Sequence, residues 1–183
     1  MNKLARTVYG WFNPNEGKLI YDLASKCMNP IVEIGTYQGR STTYFGFGSK
    51  TGNHVPVYTI DPHVFRASNI DHDNKVGVFN AFKGNMRRFE LFDVVMPIIT
   101  TSDFASRILD VNPELILIDG DHTYAGVKLD FDCWYPKLLP NGTMVMHDYI
   151  HGVGPSKLVG KRFTEEFFTS IKYVDMSVCG VKK

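Results

Sequence analysis

Between positions 31 and 61 the chain runs from an apolar stretch through a glycine turn and a helix-compatible segment into a second apolar stretch, and few folds accommodate that order. Ile31-Val32-Glu33-Ile34 leads into Gly35-Thr36-Tyr37-Gln38-Gly39, then Arg40-Ser41-Thr42, and later Tyr58-Thr59-Ile60 ends in Asp61. The pattern predicts a strand–turn–helix–strand unit of the kind that holds a nucleoside. Its glycines stand four apart, which is not the G-x-G-x-x-G spacing of dinucleotide sites. Glu33 at the mouth of the turn would repel a diphosphate and suits a cationic ligand.

Further apolar runs at Val55–Ile60, Val94–Thr100, Leu115–Ile118 and Thr143–Met146 have the length and composition of buried parallel strands. Segments that can be helical separate them: Ser41–Phe47, Asp103–Leu109 and Thr123–Leu138. This alternation predicts an α/β, Rossmann-like, doubly wound sheet with right-handed crossovers. Ahead of the first strand, Asn15–Cys27 reads as a helix opening at Asn13 or Asn15. Pro155–Phe168 reads as a helix near the other end. The runs Ile171–Met176 and Val178–Lys182 lie too close for a crossover, so they form an antiparallel hairpin or one bent strand. The expected sheet is mostly parallel and seven-stranded, with a C-terminal antiparallel hairpin.

The 183 residues fit one domain, 1–183, with an N-terminal helical segment over 1–29. Residues 62–92 are expected to form a lid or insert, with a helix and a loop over the site, or else a surface excursion that lends aromatics to the core. A hydrophobic fraction of 44% is that of a globular chain with a core. Twenty basic against nineteen acidic residues give a net charge of +1, which makes no electrostatic case for nucleic acid. No run approaches the ~18 apolar residues of a membrane span, and Met1–Arg6 lacks the apolar core of a signal peptide. Cys27, Cys133 and Cys179 are odd in number and widely spaced, which fits thiols in a reducing cytoplasm.

The densest chemistry lies further on. Leu115-Ile116-Leu117-Ile118 runs into Asp119-Gly120-Asp121-His122-Thr123-Tyr124, and Thr143-Met144-Val145-Met146 runs into His147-Asp148-Tyr149. Asp119 and Asp148 should end neighbouring strands at the carboxyl edge of the sheet, where open α/β folds bind ligands. Two carboxylates meeting there suit a hard divalent cation. An imidazole from His147 or His122 suits general-base work near neutral pH. Asp121 reads as a cap or as a partner orienting His122.

These strings, in order and spacing, resemble class I S-adenosylmethionine-dependent methyltransferases, and within them methyltransferase family 24, which includes macrocin and aminocoumarin sugar O-methyltransferases. The likeness covers roughly Glu16 to the C-terminus. It implies S-adenosyl-L-methionine as cofactor, whose sulfonium and ammonium match the acidic turn. Glu33 would take the ammonium, with Gly35 and Gly39 allowing positive φ and close backbone approach. Tyr37 and Gln38 would lie near the methionine tail, Ser41 at the helix start, and Asp61 on the ribose hydroxyls. Ser102 and Asp103 would lie at the adenine or cap a helix, Asp119 would border the cofactor, and His63 reads as a loop residue.

In many such relatives Asp at the first position and an adjacent acidic pair at the second hold the ion. Here His147-Asp148 replaces the pair, and magnesium tolerates imidazole poorly. Two routes follow. Asp119, Asp148 and His147 hold Mg2+ or a more nitrogen-tolerant cation, or His147 or His122 removes the acceptor's proton without metal, with Asp119 beside it. The expected reaction is O-methylation of a small molecule or sugar, by a chain that contacts neither nucleic acid nor membrane and can form a homo-oligomer. The alternatives are a non-catalytic S-adenosylmethionine-binding domain and, from a different class, a nicotinamide-dependent oxidoreductase.

Overall fold

The computed structural model describes residues 2–63, 75–150 and 153–183. The strands are β1 (Ile31–Ile34), β2 (Val57–Ile60), β3 (Val95–Ile98), β4 (Leu115–Ile118), β5 (Thr143–Met146), β6 (Phe168–Val174) and β7 (Ser177–Lys182). They form one seven-stranded sheet in the order β3-β2-β1-β4-β5-β7-β6. The first five are parallel, and β7 runs antiparallel to both β5 and β6. β1 and β4 are buried along their whole length, as their unbroken aliphatic sequences require.

Parallel pairing carries the strand ends in register. Ile34 pairs with both Ile60 and Ile118, and Ile118 pairs with Met146. The next residues, Gly35, Asp61, Asp119 and His147, therefore leave the sheet at one level. Between β1 and β4 the strand order reverses, the switch point at which doubly wound sheets open a crevice.

The helices are α1 (Asn2–Ala5), α2 (Pro14–Ala24), α3 (Arg40–Thr51), α4 (Lys75–Arg88), α5 (Ser102–Ile108), α6 (Tyr124–Trp134) and α7 (Val153–Arg162). α2, α3 and α4 cover one face of the sheet, over a core that includes Ile20, Phe45, Phe82 and Leu117. α5, α6 and α7 cover the other, over Ile116, Trp134, Met146 and Leu158. α2 opens with a capping box: Asn13 Oδ1 accepts from the N–H groups of Asn15 and Glu16, and Glu16 Oε2 accepts from the Asn13 N–H at 3.0 Å. α2 and α3 press together at a glycine. A Cβ on Gly17 would lie 2.2 Å from the Tyr44 ring, so no larger residue fits without moving it.

The C-terminal part differs from the expected boundaries. α7 ends at Arg162, and Phe168 begins β6 rather than closing a helix. Phe163, Phe167 and Phe168 have helical spacing, but the Thr164 carbonyl accepts from both Phe167 and Phe168 N–H and turns the chain into the hairpin. The close pair of runs is a hairpin, not one bent strand. The loop expected over the site falls on residues 64–74, outside the described residues, while α4 supplies the helix expected there.

β1 also buries a charge-bearing residue. Strand alternation turns Glu33 toward α3, where it is fully buried. Thr42 Oγ1 donates to one carboxyl oxygen at 2.6 Å and Ser41 Oγ donates to the other. Burial outweighs these hydrogen bonds and pushes the carboxyl up to about 8. Between pH 4.5 and 8 the unfolded chain thus ionises Glu33 while the native state keeps it protonated, so this residue makes stability fall as pH rises through that window. Glu33→Gln should remove this component. Thermal unfolding followed by circular dichroism across that range should show a flatter pH dependence for the variant, and parallel curves would refute the buried protonated carboxyl.

Candidate active site at the carboxyl edge of the sheet

A cleft of about 1050 Å³ opens at the switch point. One wall is the turn between β1 and α3. Gly35 has φ +83°, and a Cβ there would lie 2.2 Å from the Asp119 carbonyl oxygen, so glycine is required by the approach of the turn to the end of β4. Gly39, at φ +89°, caps α3 and packs against Phe82 and Met86. Asp61 ties this turn to β2. Its Oδ2 accepts from the Thr36 and Tyr37 N–H groups at 2.8 and 3.0 Å, and its Oδ1 accepts from the His63 N–H at 2.6 Å. The turn N–H groups that would otherwise face a pyrophosphate are thus committed to a carboxylate. That arrangement disfavours the nicotinamide alternative.

The cleft is lined by Gly35, Tyr37, Ser41, Asp61, Ser102, Asp103 and Asp119 among the residues singled out in the sequence. Glu33, Gln38 and Gly39 are not part of that lining. Glu33 lies beneath Ser41 rather than at the mouth, because its position on β1 faces α3. The Gln38 carbonyl accepts from Asn85 Nδ2 of α4. Ser102 donates to Asp130, a buried carboxyl that desolvation raises to about 6. Asp103 pairs with Arg107 at 3.0 Å. His63 is buried against Phe79 and Phe82, and burial holds its imidazole below the usual range.

The opposite wall is a cluster of acids and imidazoles. His122 Nε2 stands 3.7 Å from Asp119 Oδ1 and 3.6 Å from Asp148 Oδ2. Potential ligand atoms of Asp119, His122 and Asp148 all lie within 4.8 Å of one another. His122 is 46% exposed and faces the cleft. Its hydrogen bond to Asp119, opposed by partial burial, leaves its pKa raised. Asp121 accepts from the Thr123 N–H and hydroxyl, a cap at the start of α6.

His147, expected as the third donor, stands behind this trio. Its N–H continues the sheet to the Ile118 carbonyl, so alternation along β5 sends its ring toward α2. There it is buried, stacked on Phe12 at 4.4 Å. Its Nδ1 lies 3.0 Å from Asp119 Oδ1 and its Nε2 3.4 Å from Glu16 Oε1. Desolvation would strip its proton, but the Asp119 charge and the contacts to Asp119 and Glu16 prevail and raise the group to about 10. It is an imidazolium at neutral pH and lacks the free lone pair of a base. Asp119 is held low in spite of burial, by the charges of His147 and His122. Asp148, one residue on, turns back to the edge through a left-handed backbone at φ +53°. Tyr37, His63 and Asp148 all adopt this costly conformation and all line the cleft.

Glu16, Phe12, Trp11, Tyr9 and Asp130 belong to the site and were missed in the sequence as functional residues. Asn13-x-x-Glu16 reads only as the opening of a helix. Glu16 Oε1, however, also accepts from the Met176 N–H and the Ser177 hydroxyl, so it holds α2, the hairpin and His147 together.

Comparison with known proteins agrees with this architecture. The family model described as "Methyltransferase domain" matches residues 32–149. An uncharacterized protein, y4gI of Sinorhizobium fredii, is 28% identical over 123 residues, 64% of this chain but 13% of that protein's length. Cofactor-bound Rv0187 from MTB superposes with a TM-score of 0.70 at 15% identity, over 99% of this chain and 87% of that one. The MycE methyltransferase of the mycinamycin pathway, solved with Mg and SAH, gives 0.64 at 15% identity, over 99% of this chain and 52% of that one. At such identities the solved structures speak to fold, and the family match speaks to membership. Among the described residues no helix is long and apolar enough to cross a membrane. Sheet order, cleft and family match agree: the chain belongs to methyltransferase family 24, a family of class I S-adenosylmethionine-dependent methyltransferases.

Proposed function

We propose that this chain transfers a methyl group from S-adenosyl-L-methionine to a hydroxyl oxygen of a small-molecule or sugar acceptor. The observation that carries this reading is the convergence of Asp119, His122 and Asp148 in the same cleft that Asp61 closes on the other side. The cleft fits the cofactor's charge: carboxylates dominate its lining and suit a sulfonium and an ammonium. Asp61 Oδ1 and Oδ2 stand at the end of β2, within the wall where ribose hydroxyls would donate to a charged acceptor. Asp130, turned to the cleft beside Ser102, suits an exocyclic amine.

In the transfer the acceptor oxygen forms its bond to the methyl carbon as the carbon–sulfur bond breaks. The sulfonium becomes a neutral thioether and the hydroxyl proton leaves to solvent water. Asp119, His122 and Asp148 would hold a divalent cation that supplies Lewis acidity to the hydroxyl. Their mixed oxygen and nitrogen donors suit a cation more tolerant of imidazole than magnesium. His147 orients Asp119 from behind, and the orientation of acceptor and methyl in line contributes the largest share of rate, about 7–11 kcal/mol.

Asp61→Asn keeps an oxygen for the turn N–H groups but loses the charge. Calorimetry with S-adenosylhomocysteine should show affinity weakened on the order of 10–100-fold, the value of one or two charged hydrogen bonds. An unchanged affinity in a variant with wild-type thermal stability would remove Asp61 from the cofactor site. Exhaustive chelation should lower methyl transfer to hydroxylated extracts by about 10²-fold or more, with recovery on adding Mn2+. Activity that survives chelation yet falls in His122→Ala would reassign the imidazole as base. A protein that binds S-adenosylhomocysteine but methylates nothing would favour the non-catalytic alternative.

A further inference from the structure

The same cleft has a third wall, beside the β1–α3 turn and the acid cluster. Residues 9–12, between α1 and α2, run along its rim. Tyr9 and Trp11 are 60% and 58% exposed, high values for side chains of this size. They do not stand singly. The Trp11 ring lies 5.1 Å from the Tyr37 ring, Tyr9 lies 5.7 Å from Trp11, and Tyr9 lies 6.1 Å from Tyr37. Clustered exposed aromatics at the rim of a cleft mark a contact surface more often than a solvated one.

This shelf is fixed rather than draped. Arg40 Nη1 donates to the Gly10 carbonyl, and a Cβ on Gly10 would come 3.0 Å from Arg40 Cβ, so the segment lies directly on the first turn of α3. Phe12 anchors its far end by stacking on His147. The backbone of Tyr37 is held left-handed while its N–H donates to Asp61. The shelf therefore borders the acid–imidazole cluster at one end and the β1–α3 turn at the other.

Size and charge select the occupant. The cleft, at about 1050 Å³, stands at the upper end of the ~300–1,000 Å³ typical for one drug-sized ligand, so a nucleoside cofactor leaves room for a second molecule. Among the described residues lining it, six carboxylates (Asp61, Asp103, Asp119, Asp121, Asp130 and Asp148) outnumber the Arg40 guanidinium, engaged at Gly10, and the imidazoles of His63, His122 and His147. A phosphorylated or carboxylated molecule would be repelled.

We infer that Tyr9, Trp11 and Tyr37 form the acceptor-binding shelf, which takes an uncharged ring with one flat apolar face and hydroxyl groups on its edge. The ring lies against the aromatics, and its hydroxyls point to the Asp119–His122–Asp148 cluster. A saturated sugar ring and a phenol share this chemistry. The inference rests on the methyltransferase reading for its neighbour in the cleft, and it makes Trp11 a specificity determinant.

The test uses the whole chain saturated with S-adenosylhomocysteine and saturation-transfer NMR on three probes: methyl β-glucopyranoside, catechol and glucose 6-phosphate. One of the two uncharged probes should bind, and which one it is identifies the source; glucose 6-phosphate should bind less. Trp11→Ala should weaken the bound probe by about 3–10-fold, the worth of one aromatic contact. Trp11→Phe should restore most of it, and calorimetric affinity for S-adenosylhomocysteine should be unchanged in both. Equal loss of S-adenosylhomocysteine in Trp11→Ala would assign the shelf to the cofactor and overturn the inference. Unaltered probe binding in that variant, no binding of either uncharged probe, or preference for the phosphate would overturn it as well. Failure of the wild-type chain to bind S-adenosylhomocysteine at all would instead remove the cofactor reading beneath it.

Discussion

In-register parallel pairing of β1, β2, β4 and β5 is the constraint from which the site follows. Because Ile34, Ile60, Ile118 and Met146 sit at one level, the sheet releases Gly35, Asp61, Asp119 and His147 side by side. A slip of one residue in any pair would turn that strand's end group to the other face. The aliphatic runs of β1 and β4, buried on both sides, resist such a slip, since it would carry Glu33 toward the α5–α7 core and away from the Ser41 and Thr42 hydroxyls that donate to it. Hydrophobic registration thus sets electrostatic geometry.

The charges released at that edge are then balanced in layers. The innermost is the His147 imidazolium, enclosed between Glu16 and Asp119. Burying such a group costs several kcal/mol unless it is paired, and here two carboxylates from distant parts of the chain flank it. The pairing keeps Asp119 ionised in spite of its depth. It also frees His122, on the more exposed side, to share Asp119 with Asp148. Two histidines beside one carboxylate consequently have different roles. The inner one is a buried cation held between two carboxylates, and the outer one is open to the cleft.

Much of this was legible beforehand, because periodicity and turn chemistry act locally. The glycine turn, the alternation of apolar runs with helical segments, and the hairpin forced by the short gap near residue 176 gave the sheet. Boundaries shifted where aromatic spacing misled, as at Phe168, whose partner across the hairpin is Lys182 and not a helix neighbour. Less legible were the directions of side chains. His147 and Asp148 are adjacent, yet one continues the strand and the other breaks it with a left-handed residue. Glu16 carried no signal beyond its place in the first turn of a helix, because its second carboxyl oxygen is used only when the C-terminal hairpin arrives.

By itself the sequence determined the order of elements, the parallel core and the set of acids and imidazoles at strand ends, since strand burial and turn formation depend on residues a few positions apart. Tertiary structure alone decided which histidine faces the cleft, that Glu33 lies under the turn with Ser41 and Thr42, and that Tyr9 and Trp11 meet Tyr37. Those outcomes depend on contacts between residues tens of positions apart, down to Glu16 with Ser177, and no local pattern carries them.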